Sequence, residues 1–130
     1  VLIEVQQIEK SNGLILDNLI KSNDNCVTQV LPNLPNNAIL RQACYLYFNS
    51  LYKARIRNPT IFFLLLLLPF EQIKDAIEYV RNTINSQEKV YLIKCCKNGN
   101  YNIDIIRGSF LSNQDRFILT KNSLLSIGSL

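Results

Sequence analysis

A mixed α/β domain, with helices packed on a mainly central β-sheet, is the fold class this sequence predicts. Three observations predict it. First, β-leaning segments (Val1 to Ile8, Cys26 to Leu31, Lys89 to Cys96) alternate with segments whose apolar residues recur every three or four positions. Second, an unbroken apolar run from Ile61 to Leu68 ends at Pro69. Third, at 130 residues, 48% apolar and 18% charged, the chain has the size and composition of one domain over 1–130 with its own core. Alternating strands and helices then read as helix layers on a sheet.

Val1 to Ile8 is expected as an edge or terminal strand, followed by a turn at Ser11-Asn12-Gly13. Leu14, Leu16, Leu19 and Ile20 suit a short helix ending near Lys21, and Ser22 to Asn25 is a polar loop. Cys26 to Leu31 is the second strand. Pro32 and Pro35, among asparagines, make a rigid loop in which Asn36 or Asn37 can cap the next helix. That helix carries Ile39, Leu40, Ala43, Tyr47, Phe48 and Leu51 on one face and is expected to end near Tyr52 to Ala54. Tyr45, Tyr47, Phe48 and Tyr52 are the right chemistry to stack on bases, although packing is the commoner role for such residues.

Ile61 to Leu68 has no polar face, which predicts a central strand covered on both sides. Glu71 to about Ile84 is the clearest helix, with an apolar stripe of Ile73, Ala76, Ile77, Val80 and Ile84 expected to pack on that strand. Acidic Glu71 and Asp75 in its first turns suit the helix dipole. Lys89 to Cys96 is a strand with Val90, Leu92 and Lys94 on one side and Tyr91, Ile93 and Cys95 on the other. Lys97 to Asn100 reads as a hairpin turn, and Tyr101 to Ile106 as a returning strand or a short helix. Arg107 to Asn113 reads as loop and Phe117 to Thr120 as a short apolar segment; the pattern of the tail from Ser123 is ambiguous. The expected order is β-α-β-α-β-α-β with a weaker end.

Composition narrows the chemistry. With no histidine, Ser-His-Asp and Cys-His catalysis are excluded. No GxxxxGK or GxGxxG motif and no evident carboxylate pair is present, so the expectation is a protein that is not an enzyme and needs no cofactor. Cys26, Cys44, Cys95 and Cys96 form no CxxC pair, so no metal site is expected and the four read as reduced, buried thiols. The longest apolar run is far short of the ~20 residues needed to cross a bilayer, and no membrane partner is expected. The start shows no signal-peptide pattern, and the chain opens at Val1 rather than Met, as one lacking its true start would. A net charge of +4 permits an acidic partner such as RNA.

The basic residues supply the candidate site. Lys53, Arg55 and Arg57 alternate, so in an extended chain they point the same way. Cations ~7 Å apart can follow a phosphate backbone, against the alternative of a solvated loop with surface ion pairs. Lys94, Lys97 and Arg107 extend the patch if the hairpin lies alongside. In the following helix the Ile73 and Ile77 stripe, with Phe70 and Tyr79 beside it, is a candidate partner interface whose alternative is plain core packing.

This stretch resembles the small kinase-binding accessory subunit of the KEOPS (EKC) tRNA-modification complex. In that family a helix ends in Gly-Lys-Met-Arg/Lys-Thr-Arg, an apolar strand leads to Leu-Ser-Pro, and a helix with Ile-x-x-Ala follows. Here Lys53, Arg55 and Arg57 match the basic positions, Leu67 and Pro69 the strand end, and Ile73 and Ala76 the helix start, without a gap. Tyr52 stands for the family glycine, Ile56 for its threonine, Phe62 for a strand glutamate and Leu68 for the serine. The resemblance covers about Leu31 to Cys96, and the family's last helices are not recognisable after Phe110, which marks a shortened or diverged end.

The resemblance implies a non-catalytic subunit that binds the small atypical kinase/ATPase of the complex and helps recruit tRNA, in archaeal members through the 3′ CCA end. Transfer of threonylcarbamoyl to the adenosine beside the anticodon belongs to another subunit, and no small-molecule substrate is expected. The implied location is cytoplasm and nucleus. The alternative is a small α/β adaptor of another assembly, without RNA binding.

Overall fold

The computed structural model describes residues 1–10, 16–53, 56–97 and 111–126, with the side chains of Lys53 and Ser126 outside that description. The architecture is mixed α/β: an antiparallel three-stranded sheet and four α-helices among the described residues. Strands β1 (Leu2–Glu9), β2 (Cys26–Leu31) and β3 (Lys89–Cys96) lie in the order β1-β3-β2, so the N-terminal strand is an edge, as expected. The register pairs Val5 with Ile93 and Ile93 with Gln29, and on the other face Glu4 with Lys94 and Lys94 with Thr28.

The face bearing Val27, Leu31, Ile93 and Cys95 joins the core. Helices α1 (Asn37–Ser50) and α2 (Pro59–Leu67) lie on it. Asn36 caps α1 by accepting from the Ala38 N–H at 2.9 Å, and the expected face of Ile39, Leu40, Ala43 and Tyr47 is buried. The helix ends at Ser50 and passes into a 3₁₀ turn, Leu51–Lys53. A second 3₁₀ turn, Leu16–Leu19, stands where a short helix was expected.

The central correction concerns Ile61 to Leu68, which is not a strand. It forms most of α2, and Phe62, Phe63 and Leu64 to Leu67 are all buried. A helix that is apolar on every side must be surrounded, and α2 touches β2, α1, α3 (Ile73–Asn85) and α4 (Asn113–Ser126). Each of those six side chains contributes roughly 2 kcal/mol of burial. Its start was legible in Asn58-Pro59. Asn58 is the N-cap, accepting from the Thr60 N–H at 3.1 Å, and Pro59 sits where its missing N–H costs nothing. A proline disfavours helical conformation at the residue before it, here Asn58, and Pro59 itself opens the helix. The apolar stripe of α3 consequently meets α2 rather than a strand, and only Ala76 of α3 is fully buried.

The second correction is at the C-terminal end. Phe117 to Thr120 is part of a 14-residue helix, α4. A reciprocal capping box starts it: the Asp115 N–H donates to Ser112 Oγ and the Ser112 N–H to Asp115 Oδ2, both at 3.0 Å. Ile118, Lys121, Asn122 and Leu125 form its inward face. The two polar members are matched to the C-terminal end of α2, whose last carbonyls lack helical partners. Lys121 Nζ donates to the Leu65 and Leu68 carbonyls, and Asn122 Nδ2 donates to the Leu66 carbonyl at 2.7 Å and to Gln42 Oε1 at 2.8 Å.

The third correction concerns the cysteines. They are not free thiols: Cys26 bonds Cys96 across β2 and β3, and Cys44 of α1 bonds Cys95. Neighbours on a strand point to opposite faces, so adjacent Cys95 and Cys96 reach different partners. The expected hairpin at Lys97 to Asn100, the segment Tyr101 to Ile106 and the loop from Arg107 lie mostly or wholly outside the described residues, so the seven-element order reduces to β-β-α-α-α-β-α among the described strands and α-helices.

Candidate functional site

Among the described residues, two concavities border the candidate site residues, each with its own lining. The first is an aliphatic groove of about 400 Å³ between the Leu16–Leu19 turn, β2, the start of α2 and α3. Ile61 and Leu64 of α2 face Ile77, Val80 and Ile84 of α3 across it, with Leu16 and Ile20 closing one end. Most of these residues are only half-buried, because α3 has more apolar stripe than α2 covers. Asp17, Arg81, Asn58 and Asn85 make a polar rim. Gln29 lies in the wall, nearly fully buried, with its amide already engaged: Nε2 donates to the Thr60 carbonyl at 3.0 Å, and Oε1 accepts from the Val30 N–H at 2.9 Å. Its chemistry is therefore structural, and the groove offers apolar contact with a charged rim.

The candidate interface residues divide around this groove. Ile77 lines it and Ile73, 37% exposed, lies on the same α3 stripe. Phe70 and Tyr79 are half-buried and pack on each other with ring centroids 5.3 Å apart. The Tyr79 hydroxyl accepts from Asn33 Nδ2 at 3.2 Å, so this pair is mainly packing.

The second concavity, about 500 Å³, lies between the Ser22 to Asp24 segment, the end of α1, Tyr52, Pro59 and Lys97. Tyr52 is 77% exposed at its edge, whereas Tyr47 in its floor is 1% exposed. Burial raises the Tyr47 phenol above its ordinary value, which keeps it neutral. Lys97 is exposed, and its N–H is anchored on the Asn25 carbonyl at 2.6 Å. Asp24 stands in the same cleft, so its charge is mixed.

The predicted basic patch is only partly assembled. Arg57 is exposed two residues before Pro59, and Lys97 lines the cleft. Lys53 ends a 3₁₀ turn rather than an extended ladder, and Arg55 and Arg107 lie outside the described residues. Lys94 is half-buried on the opposite sheet face, between Glu4 and Thr28, and does not join the cleft.

Sequence reasoning missed Lys121. It is 2% exposed, and burial pushes its ammonium down to about 7 against the opposing effect of Glu71. A lysine titrating near neutrality can act as a base. Here both its contacts and its position inside the helix layer make it a cap for α2, and it lines neither concavity. Among the described residues no His/Cys/Asp/Glu cluster could hold a metal ion, and no helix is long and apolar enough to cross a membrane.

No protein family, curated protein or solved structure matches the chain. The class defined by fold and site is thus a small α/β domain with an aliphatic groove and a separate mixed-charge cleft.

Proposed function

We propose that the protein is a non-catalytic accessory subunit of a KEOPS-type assembly that supports threonylcarbamoyladenosine modification of tRNA in the cytoplasm and nucleus. In this reading a small atypical kinase/ATPase docks on the aliphatic groove, and tRNA lies along the Tyr52 cleft. The observation that carries it is the uncovered apolar stripe of α3, where Ile73, Ile77, Val80 and Ile84 remain only partly buried in a fold that buries Phe62 to Leu67 of α2. Half-buried aliphatic residues ringed by charge are the usual anatomy of a protein-docking surface. The tRNA half draws on Lys97, Arg57 and an exposed aromatic ring: phosphate contacts need cations, and an unpaired base needs a face to stack on.

A second reading, a small α/β adaptor of another assembly without RNA binding, is favoured by α2. A helix stands where the family resemblance implied a strand, so the match around Ile61 to Leu68 is one of sequence pattern and not of local structure. Purification of the chain from its native cells, followed by partner identification and a tRNA-binding titration with and without the 3′ CCA end, separates the two. A small kinase among the partners and saturable tRNA binding are expected. Absence of the kinase refutes the KEOPS assignment, and kinase binding without tRNA binding refutes its RNA half.

A further inference from the structure

The two disulfides differ in access and in position. Cys44 and Cys95 are 1% and 0% exposed and belong to the core between α1 and the sheet. Cys26 is half-buried at the start of β2, directly opposite Cys96 at the end of β3, with their Cα atoms 4.1 Å apart. Thiol–disulfide exchange needs the attacking sulfur to reach a disulfide sulfur in line, so access decides which bond opens.

Cys96 is 7% exposed, so Cys26 is the open end of this bond, and the chain neighbours of both cysteines line the mixed-charge cleft. Asn23 and Asp24 form one wall, and Asn23 Oδ1 accepts from the Asn25 and Cys26 N–H groups, both at 2.8 Å. Lys97 forms another wall and follows Cys96 directly. The disulfide is the covalent tie between the two walls, added to the β2–β3 ladder, whose end pair is Cys26 and Cys96, and to the Lys97 N–H to Asn25 carbonyl bond.

We propose that Cys26–Cys96 is a reversible thiol–disulfide site that controls the cleft. This rests on the proposed location and, for its effect, on the proposed RNA role. In the cytoplasm and nucleus, disulfides are transient and redox-sensing rather than permanent. A low-molecular-weight thiolate such as glutathione attacks the Cys26 sulfur. The S–S bond breaks, a mixed disulfide forms at Cys26, and Cys96 leaves as the thiolate. A second thiolate attacks the low-molecular-weight sulfur of that mixed disulfide, which releases oxidised glutathione and the Cys26 thiolate. Two electrons pass from two glutathione molecules to the protein, and both cysteine thiolates take protons from solvent. The end of the β2–β3 ladder and the Lys97 N–H to Asn25 carbonyl bond then hold the two walls without a covalent link, and the cleft loses its oxidised shape.

The test uses the full chain, oxidised, in a glutathione redox series, with alkylation and peptide mass mapping. Cys95 and Cys96 share a peptide, so Cys26 and Cys44 report the two bonds separately. Cys26 is expected to label while Cys44 stays protected, and the tRNA Kd is expected to rise about five-fold or more over the same interval. Equal labelling, Cys44 labelling first, or free thiols in the untreated chain would overturn the site. Selective opening with an unchanged Kd overturns control of the cleft. If neither state binds tRNA, the RNA reading and the switch both fail, while the labelling order still decides the site. A Cys26→Ser/Cys96→Ser variant should hold the weaker Kd at every redox poise, and reduction of the wild-type chain gives the same comparison if that variant does not fold.

Discussion

Lys121 makes the stability of this protein depend on pH in an uncommon direction. Burial holds its folded pKa at about 7, against an ordinary 10.5 in the unfolded chain. Between those values the unfolded chain binds more protons than the folded one, so stability rises with pH. Each pH unit in that window adds up to about 1.4 kcal/mol, and allowing for the curvature at both ends, pH 7 to 9.5 adds about 3 kcal/mol. The window stops there because the Tyr47 phenol is raised by burial: above about 10 its unfolded form ionises first and stability falls. The neutral amine still has two N–H donors for the Leu65 and Leu68 carbonyls, so its two contacts survive the loss of charge.

The assay is urea unfolding with the disulfides intact. At roughly 2 kcal/mol per molar urea, the midpoint should rise by about 1.5 M from pH 7 to 9.5. Lys121→Met keeps the stem and removes the titration, so its midpoint should lose most of that slope. At pH 9.5 the variant leaves two buried carbonyls unpaired and should be about 2–4 kcal/mol less stable than wild type, with the two proteins converging near pH 7. A wild-type midpoint that is flat or falls over this range refutes the reasoning, as does an identical slope in the variant.

Three further outcomes are expected. Asn58→Ala removes the α2 cap and should cost about 1 kcal/mol by thermal unfolding, with no loss in the variant refuting the capping role. Arg57→Glu with Lys97→Glu should weaken tRNA binding and lower its salt slope by about two, and an unchanged slope removes both from the RNA surface. Ile73→Asp, at a position already 37% exposed, should abolish kinase co-purification while shifting stability by less than about 1 kcal/mol. Retained kinase binding would exclude Ile73 from the interface.

The candidate surfaces were legible in the sequence to different degrees. Ile73 and Ile77 were visible because helical spacing marks a stripe, but spacing alone does not say how much of the stripe a neighbour covers. Here α2 is too short to cover it, which leaves the groove. The basic ladder was read on the assumption of an extended backbone, and the 3₁₀ turn at Leu51–Lys53 breaks that assumption at its first member. Lys97 and Tyr52 meet in one cleft only because β3 ends beside the end of α1.

By itself the sequence determined β2, β3, α1 and α3, since each carries a local signal: period two, a cap, or a stripe at helical spacing; between Asn36 and Asn37 the structure chose Asn36 as the cap of α1. The tertiary structure decided what had no local signal. An isotropic apolar run fits a strand covered on both faces or a helix surrounded on all sides; Asn58-Pro59 marks a helix start before it, and the packing of β2, α1, α3 and α4 around Ile61 to Leu67 decides that the run itself is helical. The same packing explains why α4 went unread: Lys121 and Asn122 break its apolar face in sequence, yet in the fold they meet the free carbonyls of α2. A residue's hydropathy reports its preference for water, and here the partner that replaces water belongs to a helix more than fifty residues away.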